Sequence, residues 1–130
     1  MKTAFAALAA AVALGVSAAS AAPNYPSSIA ALGDSITRAF DTCSFPYIDC
    51  PANSWSTGTN TAVDSVYERL LAFNPQIGGH NFNDAKTGAK MSDLSGQAAT
   101  AATQQAAAVT ILIGANDVCT SSVATMTDPT

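Results

Sequence analysis

Short apolar runs alternate with segments of helical periodicity along most of this chain. Residues 29–32 form an apolar run that ends in glycine and a polar turn, a pattern typical of a buried strand. Residues 109–113 form a second such run, continuous and rich in β-branched side chains, as expected for a strand covered on both faces. Between them, residues 80–85 alternate weakly and predict a third strand.

One segment between these strands has a clear helical period. Apolar residues recur at intervals of three and four positions over residues 63–71, which predicts an amphipathic helix. Thr61 is predicted to cap its start, with Asp64 three residues later in an imperfect capping box. The helix is predicted to end at Asn74, because the residue before a proline disfavours helical backbone.

Two further helices complete an alternating order of strands and helices. A short helix is predicted over residues 36–40, and an alanine-rich helix over residues 93–107, capped by Ser92. The order β-α-β-α-β predicts an α/β fold, in which a parallel sheet carries helices on its faces. Right-handed crossovers restrict the topology, and the flavodoxin-like strand order 2-1-3 places the first strand in the centre.

In that strand order the carboxyl ends of all three strands lie side by side. Residues 33–35 (Gly-Asp-Ser) follow the first strand, Gly88 lies in the turn after the second, and residues 114–117 (Gly-Ala-Asn-Asp) follow the third. Open α/β sheets bind ligands in the crevice at this edge. A possible nucleophile, Ser35, and a possible oxyanion donor, Asn116, at such strand ends indicate acyl transfer.

The first residues differ in composition from the rest of the chain. A lysine is followed by an apolar run over residues 4–16 and then by small residues, which predicts a secretory signal peptide over residues 1–21. Cleavage is expected after Ala21, with Ala22 as the alternative, and the mature part is one domain over residues 22–130. A membrane anchor is the competing interpretation, but the run is too short to span a bilayer.

Charge and motif content exclude several classes of function. The chain has 5 basic and 9 acidic residues and no basic cluster, which argues against binding to nucleic acid or anionic membranes. Asp34 and Asp117 could be paired acids or metal ligands, but each is expected to accept backbone N–H bonds at its turn. No metal site or cofactor is predicted, and no G-x-G-x-x-G motif follows the first strand to suggest nucleotide binding.

The three cysteines fit an exported protein. Cys43 and Cys50 bracket a short loop and are the natural disulfide pair outside the cell, with two free thiols as the alternative. In the chain-entropy model such a loop closure contributes about 2.5 kcal/mol. Cys119 is left over, and an odd cysteine in a secreted chain points to a partner in sequence not included here.

Side chains near the predicted crevice have two interpretations each. Phe45, Tyr47 and Trp55 either line an acyl pocket or cover the core beneath a long loop. Arg38 could meet a substrate carbonyl or phosphate, but it is more often a solvated helix residue.

Three blocks of this sequence resemble the GDSL or SGNH hydrolases. Residues 33–35 resemble the first block, residues 83–88 the second, in which a glycine follows the second strand, and residues 114–117 the third, G-x-N-D. Their order, spacing and strand context agree over residues 29–119. The resemblance is closest to the secreted bacterial lipase-like and esterase-like members, and it implies a three-layer α/β/α sandwich.

The resemblance also implies ester hydrolysis through an acyl-enzyme, with Ser35 as the nucleophile. The oxyanion hole would comprise the backbone N–H groups of Ser35 and Gly88 and the side-chain amide of Asn116. The other motif residues would support these turns: Gly33, Asp34, Gly114 and Asp117. The expected substrate is a small-molecule or lipid ester. No nucleic-acid partner, stable membrane insertion or cofactor is expected, and the oligomeric state is left open.

The fourth block of the family, D-x-x-H, does not occur in these 130 residues. The single histidine, His80, is predicted at the amino end of the second strand, the wrong edge of the sheet for Ser35. Together with Cys119 and a long apolar strand in the last position, this leads us to expect the amino-terminal part of a longer enzyme, truncated after about the third strand and inactive alone. The alternatives are a secreted binding module that keeps the SGNH fold without catalysis, and a polysaccharide deacetylase.

Overall fold

The computed structural model describes residues 24–120 and 122–126, and a parallel sheet of three strands lies at its centre. The strands are β1 (Ile29–Gly33), β2 (Asn81–Asn83) and β3 (Ala108–Leu112), in the order β2-β1-β3. The predicted strand order and parallel pairing are therefore confirmed. The predicted signal peptide lies outside the described residues, and no helix within them is long and apolar enough to cross a membrane.

The register of the strands places their carboxyl ends at one edge of the sheet. Ile29 pairs with Asn81 of β2 and with Ala108 of β3, so all three strands start at the same level. The pairing of β1 with β2 ends at Ala31, whereas its pairing with β3 continues to Gly33. The last two residues of β1 therefore extend past β2, and the turn after β1 begins beyond the end of its shorter neighbour.

In the described part of the chain, three α-helices accompany the sheet: α1 (Val66–Phe73), α2 (Leu94–Thr103) and the short α3 (Ala115–Val118). Ile29 packs with Tyr67 of α1, whereas Ala30 and Leu32 pack with Ala101 of α2. Because successive strand residues point to opposite faces, α1 and α2 cover opposite sides of β1. The fold is thus an α/β/α arrangement of flavodoxin-like topology, as predicted.

The start of α1 lies later than predicted. Asp64 has a left-handed backbone with φ of 53°, which interrupts any helix that would begin at Thr61. Ser65 is the N-cap instead: its hydroxyl accepts from the N–H of Glu68 at 3.2 Å, and the Glu68 carboxylate accepts from the N–H of Ser65 at 3.1 Å. This is a complete capping box, and the predicted end at Asn74 is confirmed.

Two other helix predictions were wrong in detail. Residues 36–40 form consecutive turns rather than a helix, because Ala39 is left-handed with φ of 51° and the Phe40 N–H reaches back to the Ser35 carbonyl at 3.0 Å. The helix predicted over 93–107 is shorter, and Ser92 lies inside the 3₁₀ turn that leads into it rather than capping it.

Strand β3 is not covered on both faces, which corrects the interpretation of its apolar sequence. Val109 and Ile111 are 47% and 55% exposed, and both line an open groove beside α2. Within the described residues β3 pairs only with β1, so it is an edge strand, as expected for the last of three strands.

Candidate active site

The turns that follow the three strands are joined to one another by hydrogen bonds. The N–H of Lys86, after β2, donates to the carbonyl of Gly33 at the end of β1 at 3.0 Å. The side-chain amide of Asn116, after β3, donates to the carbonyl of Ala89 at 2.8 Å. The Asp117 carboxylate accepts from the Met91 N–H at 3.0 Å. The structure therefore brings together the three turns that carry the predicted site residues.

Ser35 lies in the first turn, half-buried, directly after the buried Asp34. Its carbonyl oxygen accepts from Phe40, but its hydroxyl forms no hydrogen bond with any residue in the described part of the chain. A serine hydroxyl can donate one hydrogen bond and accept two. The Ser35 hydroxyl therefore keeps this capacity for another group.

Gly33 is required where it stands. Its φ is 150°, and a Cβ atom added there would overlap the carbonyl oxygen of Leu112 and the hydroxyl of Thr37. Asp34 is 1% exposed and accepts from the N–H of Ile36 at 2.9 Å, which confirms the expectation that its carboxylate holds its own turn. These two residues fix the backbone from which Ser35 projects.

Gly88 and Gly114 adopt conformations that favour glycine. Their φ angles are 83° and 113°, in the second and third turns respectively. Gly114 immediately precedes α3, which carries Asn116. The Asn116 amide has two N–H groups, and its bond to Ala89 engages one of them next to Gly88. This tie between the second and third turns was not foreseen from the sequence.

His80 lies at the opposite edge of the sheet. It directly precedes β2, and its carbonyl accepts from the N–H of Ile29, the first residue of β1, at 2.9 Å. The predicted placement of His80 at the amino end of the second strand is thereby confirmed. The length of the strands separates its imidazole from the turn of Ser35.

Gln97 of α2 contacts the end of β1, a role that was not predicted from the sequence. Its side-chain oxygen accepts from the N–H of Gly33 at 2.7 Å, and its amide donates to the carbonyl of the same residue at 2.9 Å. The signal in the sequence was a lone glutamine on the buried side of a helix made mostly of small residues.

Asp49 links the turn after β1 to the turn after β2. Its carboxylate pairs with the Arg38 guanidinium at 3.0 Å and accepts from the hydroxyl of Thr87, the neighbour of Gly88. Arg38 also donates to the carbonyl of Asn83 at 3.2 Å. The expectation that Arg38 is a solvated helix residue was therefore wrong, since it lies in a turn and its Nε and Nη1 groups both donate hydrogen bonds.

The same contacts perturb the acidity of Asp49. The Thr87 hydroxyl and then the Arg38 guanidinium lower the pKa of this carboxyl below its usual value, and slight burial opposes them. The ionised form is therefore favoured in the folded protein. The stabilisation it gives is present above the pKa of the unfolded chain and is lost as the pH falls through the lower, folded pKa.

We expect Asp49→Asn to lower the free energy of unfolding at pH 7 by at most about 1 kcal/mol, because the ion pair is partly solvated. The difference in unfolding free energy between Asp49→Asn and the unmodified protein should shrink as the pH falls below about 4. Urea unfolding of both proteins at several pH values measures it. The exposed pair of Arg69 and Asp64 provides a control, Asp64→Asn, with a smaller effect at every pH. A difference that grows on acidification would contradict this assignment.

Two of the three cysteines are paired. Cys43 and Cys50 form the predicted disulfide, and Cys119 is an exposed free thiol. Phe45 and Tyr47, inside the disulfide loop, are largely exposed and so do not cover the core. Among residues 24–120 and 122–126, no group of three or more His, Cys, Asp or Glu side chains could hold a metal ion.

A family of known proteins matches the part of the chain that carries the three turns. A family model described as GDSL-like Lipase/Acylhydrolase matches residues 29–129, from the start of β1 past the third turn. No curated protein and no solved structure matches the chain. The match covers most of the chain and includes Ser35, Gly88 and Asn116. The chain therefore belongs to the GDSL-like lipase/acylhydrolase family, a family of hydrolases.

Proposed function

We propose that this protein is a secreted serine ester hydrolase that acts through an acyl-enzyme on Ser35. The observation that carries the proposal is the meeting of three turns, tied together by hydrogen bonds, beside the unengaged Ser35 hydroxyl. The family match supports a hydrolase, and the proposal adds the nucleophile and the oxyanion hole. The donors to the oxyanion are the N–H groups of Ser35 and Gly88 and the free N–H of the Asn116 amide.

In the proposed reaction the Ser35 oxygen attacks the carbonyl carbon of an ester. The carbonyl π bond opens, and its oxygen carries a negative charge in the tetrahedral intermediate. Fixed neutral donors at the crevice stabilise that charge, and each such donor is worth about 3 kcal/mol in a comparable hydrolase. The carbonyl π bond then re-forms and the bond to the alcohol oxygen breaks. The alcohol leaves as a neutral molecule with the proton that the Ser35 hydroxyl gave up, and Ser35 is left acylated. Attack by water releases the acid and restores the hydroxyl.

The substrate class is inferred from the charge of the chain. The chain has a formal net charge of −4, which disfavours anionic substrates and fits neutral lipid or other carboxylic esters. Secretion is supported by the signal pattern over residues 1–21 and by the Cys43–Cys50 disulfide, which is typical of an oxidising compartment.

Covalent labelling tests the nucleophile directly. The secreted product of the natural gene is treated with a fluorophosphonate ester and digested, and the labelled peptide is identified by mass spectrometry. One phosphonyl group on Ser35 is expected, and heat-unfolded protein, the control, should remain unlabelled. A label on another serine would assign the nucleophile elsewhere. Complete absence of label, with the fold intact, would favour the binding module that keeps this fold without catalysis.

The 130-residue chain by itself is expected to hydrolyse esters very slowly. A serine needs an adjacent base to become a good nucleophile at neutral pH, and His80 lies at the far edge of the sheet. Hydrolysis of p-nitrophenyl acetate by the purified chain measures this, and His80→Asn should leave the slow rate unchanged. Turnover near the enzyme median of about 10 s⁻¹ would contradict the expectation.

A further inference from the structure

The side chain of Gln97 pairs with the backbone of a single residue in the manner of a neighbouring strand. It accepts from the Gly33 N–H at 2.7 Å and donates to the Gly33 carbonyl at 2.9 Å. It is 8% exposed, and the other buried residue of its helix is Ala101, four positions later on the same face. A buried amide costs free energy unless its polar groups are paired, and here both are paired with one residue.

The register of the sheet explains why Gly33 needs such a partner. The ladder between β1 and β2 ends at the pair Ala31 and Asn83, so no residue of β2 lies opposite Gly33. Lys86 supplies a donor to the Gly33 carbonyl at 3.0 Å, but no other side chain or backbone group that the structure describes accepts from the Gly33 N–H. Gln97 thus completes the hydrogen bonding of β1 beyond the end of β2.

Gly33 is also the residue from which the Ser35 turn departs. Gly33 is the last residue of β1, its φ of 150° differs from the negative φ of ordinary strand residues, and only Asp34 separates it from Ser35. A rotation of the peptide at Gly33 would move both the Ser35 hydroxyl and the Ser35 N–H, because they lie within two residues of it. A displacement of about 1 Å in a catalytic group costs about 100-fold in rate.

We propose that Gln97 is a positioning residue that holds the end of β1 so that Ser35 meets the carbonyl carbon of the substrate. This inference rests on the proposed function, since it assigns Gln97 a role through Ser35. Gln97 itself does not touch the substrate. Catalytic groups require such support from residues whose own conformation is fixed by packing and hydrogen bonds.

The test compares Gln97→Leu with a matched control in the secreted gene product. Leucine has nearly the volume of glutamine but offers neither a donor nor an acceptor. The control is Gln104→Leu, which removes the hydrogen bond from Gln104 to the Asp84 carboxylate at 2.8 Å, just past the end of α2. Both variants should lose some thermal stability, because each leaves a polar group without its partner.

Of Gln97→Leu and Gln104→Leu, only the first is expected to lower kcat, by about 10- to 100-fold, with KM changed less than about 3-fold. The rate of phosphonylation of Ser35 should fall by a similar factor. All rates are measured at a temperature where circular dichroism shows each variant fully folded. Gln97→Asn is a second variant that keeps the amide. Its side chain is one methylene too short to reach both Gly33 groups, so a similar loss of kcat is expected.

The outcomes separate this inference from the proposed function. If the unmodified protein is phosphonylated at Ser35 but Gln97→Leu and Gln97→Asn keep its kcat, Gln97 is only structural and the inference is overturned. Equal losses of kcat in the Gln97 and Gln104 variants would overturn it as well. If the unmodified protein shows neither turnover nor a label on Ser35, the proposed function fails and this inference fails with it.

Discussion

Replacing Ser35 with alanine is expected to reduce kcat for ester hydrolysis by about 10⁴- to 10⁶-fold, the range found when the nucleophile of a serine hydrolase is removed. The acyl-enzyme cannot form without the hydroxyl, whereas the N–H groups of residues 35 and 88 and the Asn116 amide remain. A small residual rate should therefore persist. Stability should hardly change, since the Ser35 hydroxyl makes no hydrogen bond within the described residues.

Initial rates with p-nitrophenyl esters of increasing acyl length, in the secreted gene product, measure this loss. Ser95→Ala is the matched control, because Ser95 is an exposed serine on α2. It should retain the full rate. A Ser35→Ala protein that is folded and still turns over within about 10-fold of the unmodified enzyme would remove Ser35 from the mechanism.

Gly33→Ala is expected to give the largest loss of stability, about 4 kcal/mol or more, and to abolish a unique fold if the total stability is small. The added methyl group would overlap the backbone oxygen of Leu112 in β3, which cannot move without breaking its pairing with β1. The positive φ of Gly33 adds a further cost for an alanine side chain. Both effects act at the end of the central strand.

Gly79→Ala separates the steric effect from the backbone effect. Gly79 also has a positive φ, 78°, but a Cβ atom there would meet no atom within 4 Å. We therefore expect it to cost only about 1 kcal/mol, the price of a left-handed alanine. Urea unfolding followed by circular dichroism compares the two variants. Equal losses for Gly33→Ala and Gly79→Ala would show that the contact with Leu112 is not the cause.

The sequence was sufficient to predict the strands, their order and the edge where the site lies. The apolar run before Gly33 and the run before Gly114 each end in a polar turn. This pattern can be recognised in the sequence without knowledge of distant contacts. The alternation of strands and helices then predicts a parallel sheet, and right-handed crossovers restrict its topology. The turns of Ser35, Gly88 and Asn116 could thus be placed at one edge before their hydrogen bonds were known.

The contacts that hold those turns could not be predicted in the same way. The bonds of Gln97 to Gly33 and of Asp49 to Thr87 join residues far apart in the sequence, and neither pair forms a motif. The start of α1 was predicted wrongly for a local reason. Thr61 and Asp64 have the spacing of a capping box, but the real capping box is formed by Ser65 and Glu68. The exposure of β3 depends on what packs beside it, which its apolar composition does not reveal.

The central position of β1 has a consequence for the order of folding. β1 is synthesised near the beginning of the chain, but one of its two ladders is with β3, at the far end of the described sequence. Loop closure over such a distance must be completed before that ladder gives any stabilisation, which slows folding. During synthesis, the apolar segment of β1 emerges long before this neighbour exists. Until then, it is exposed to chaperones and to misassembly.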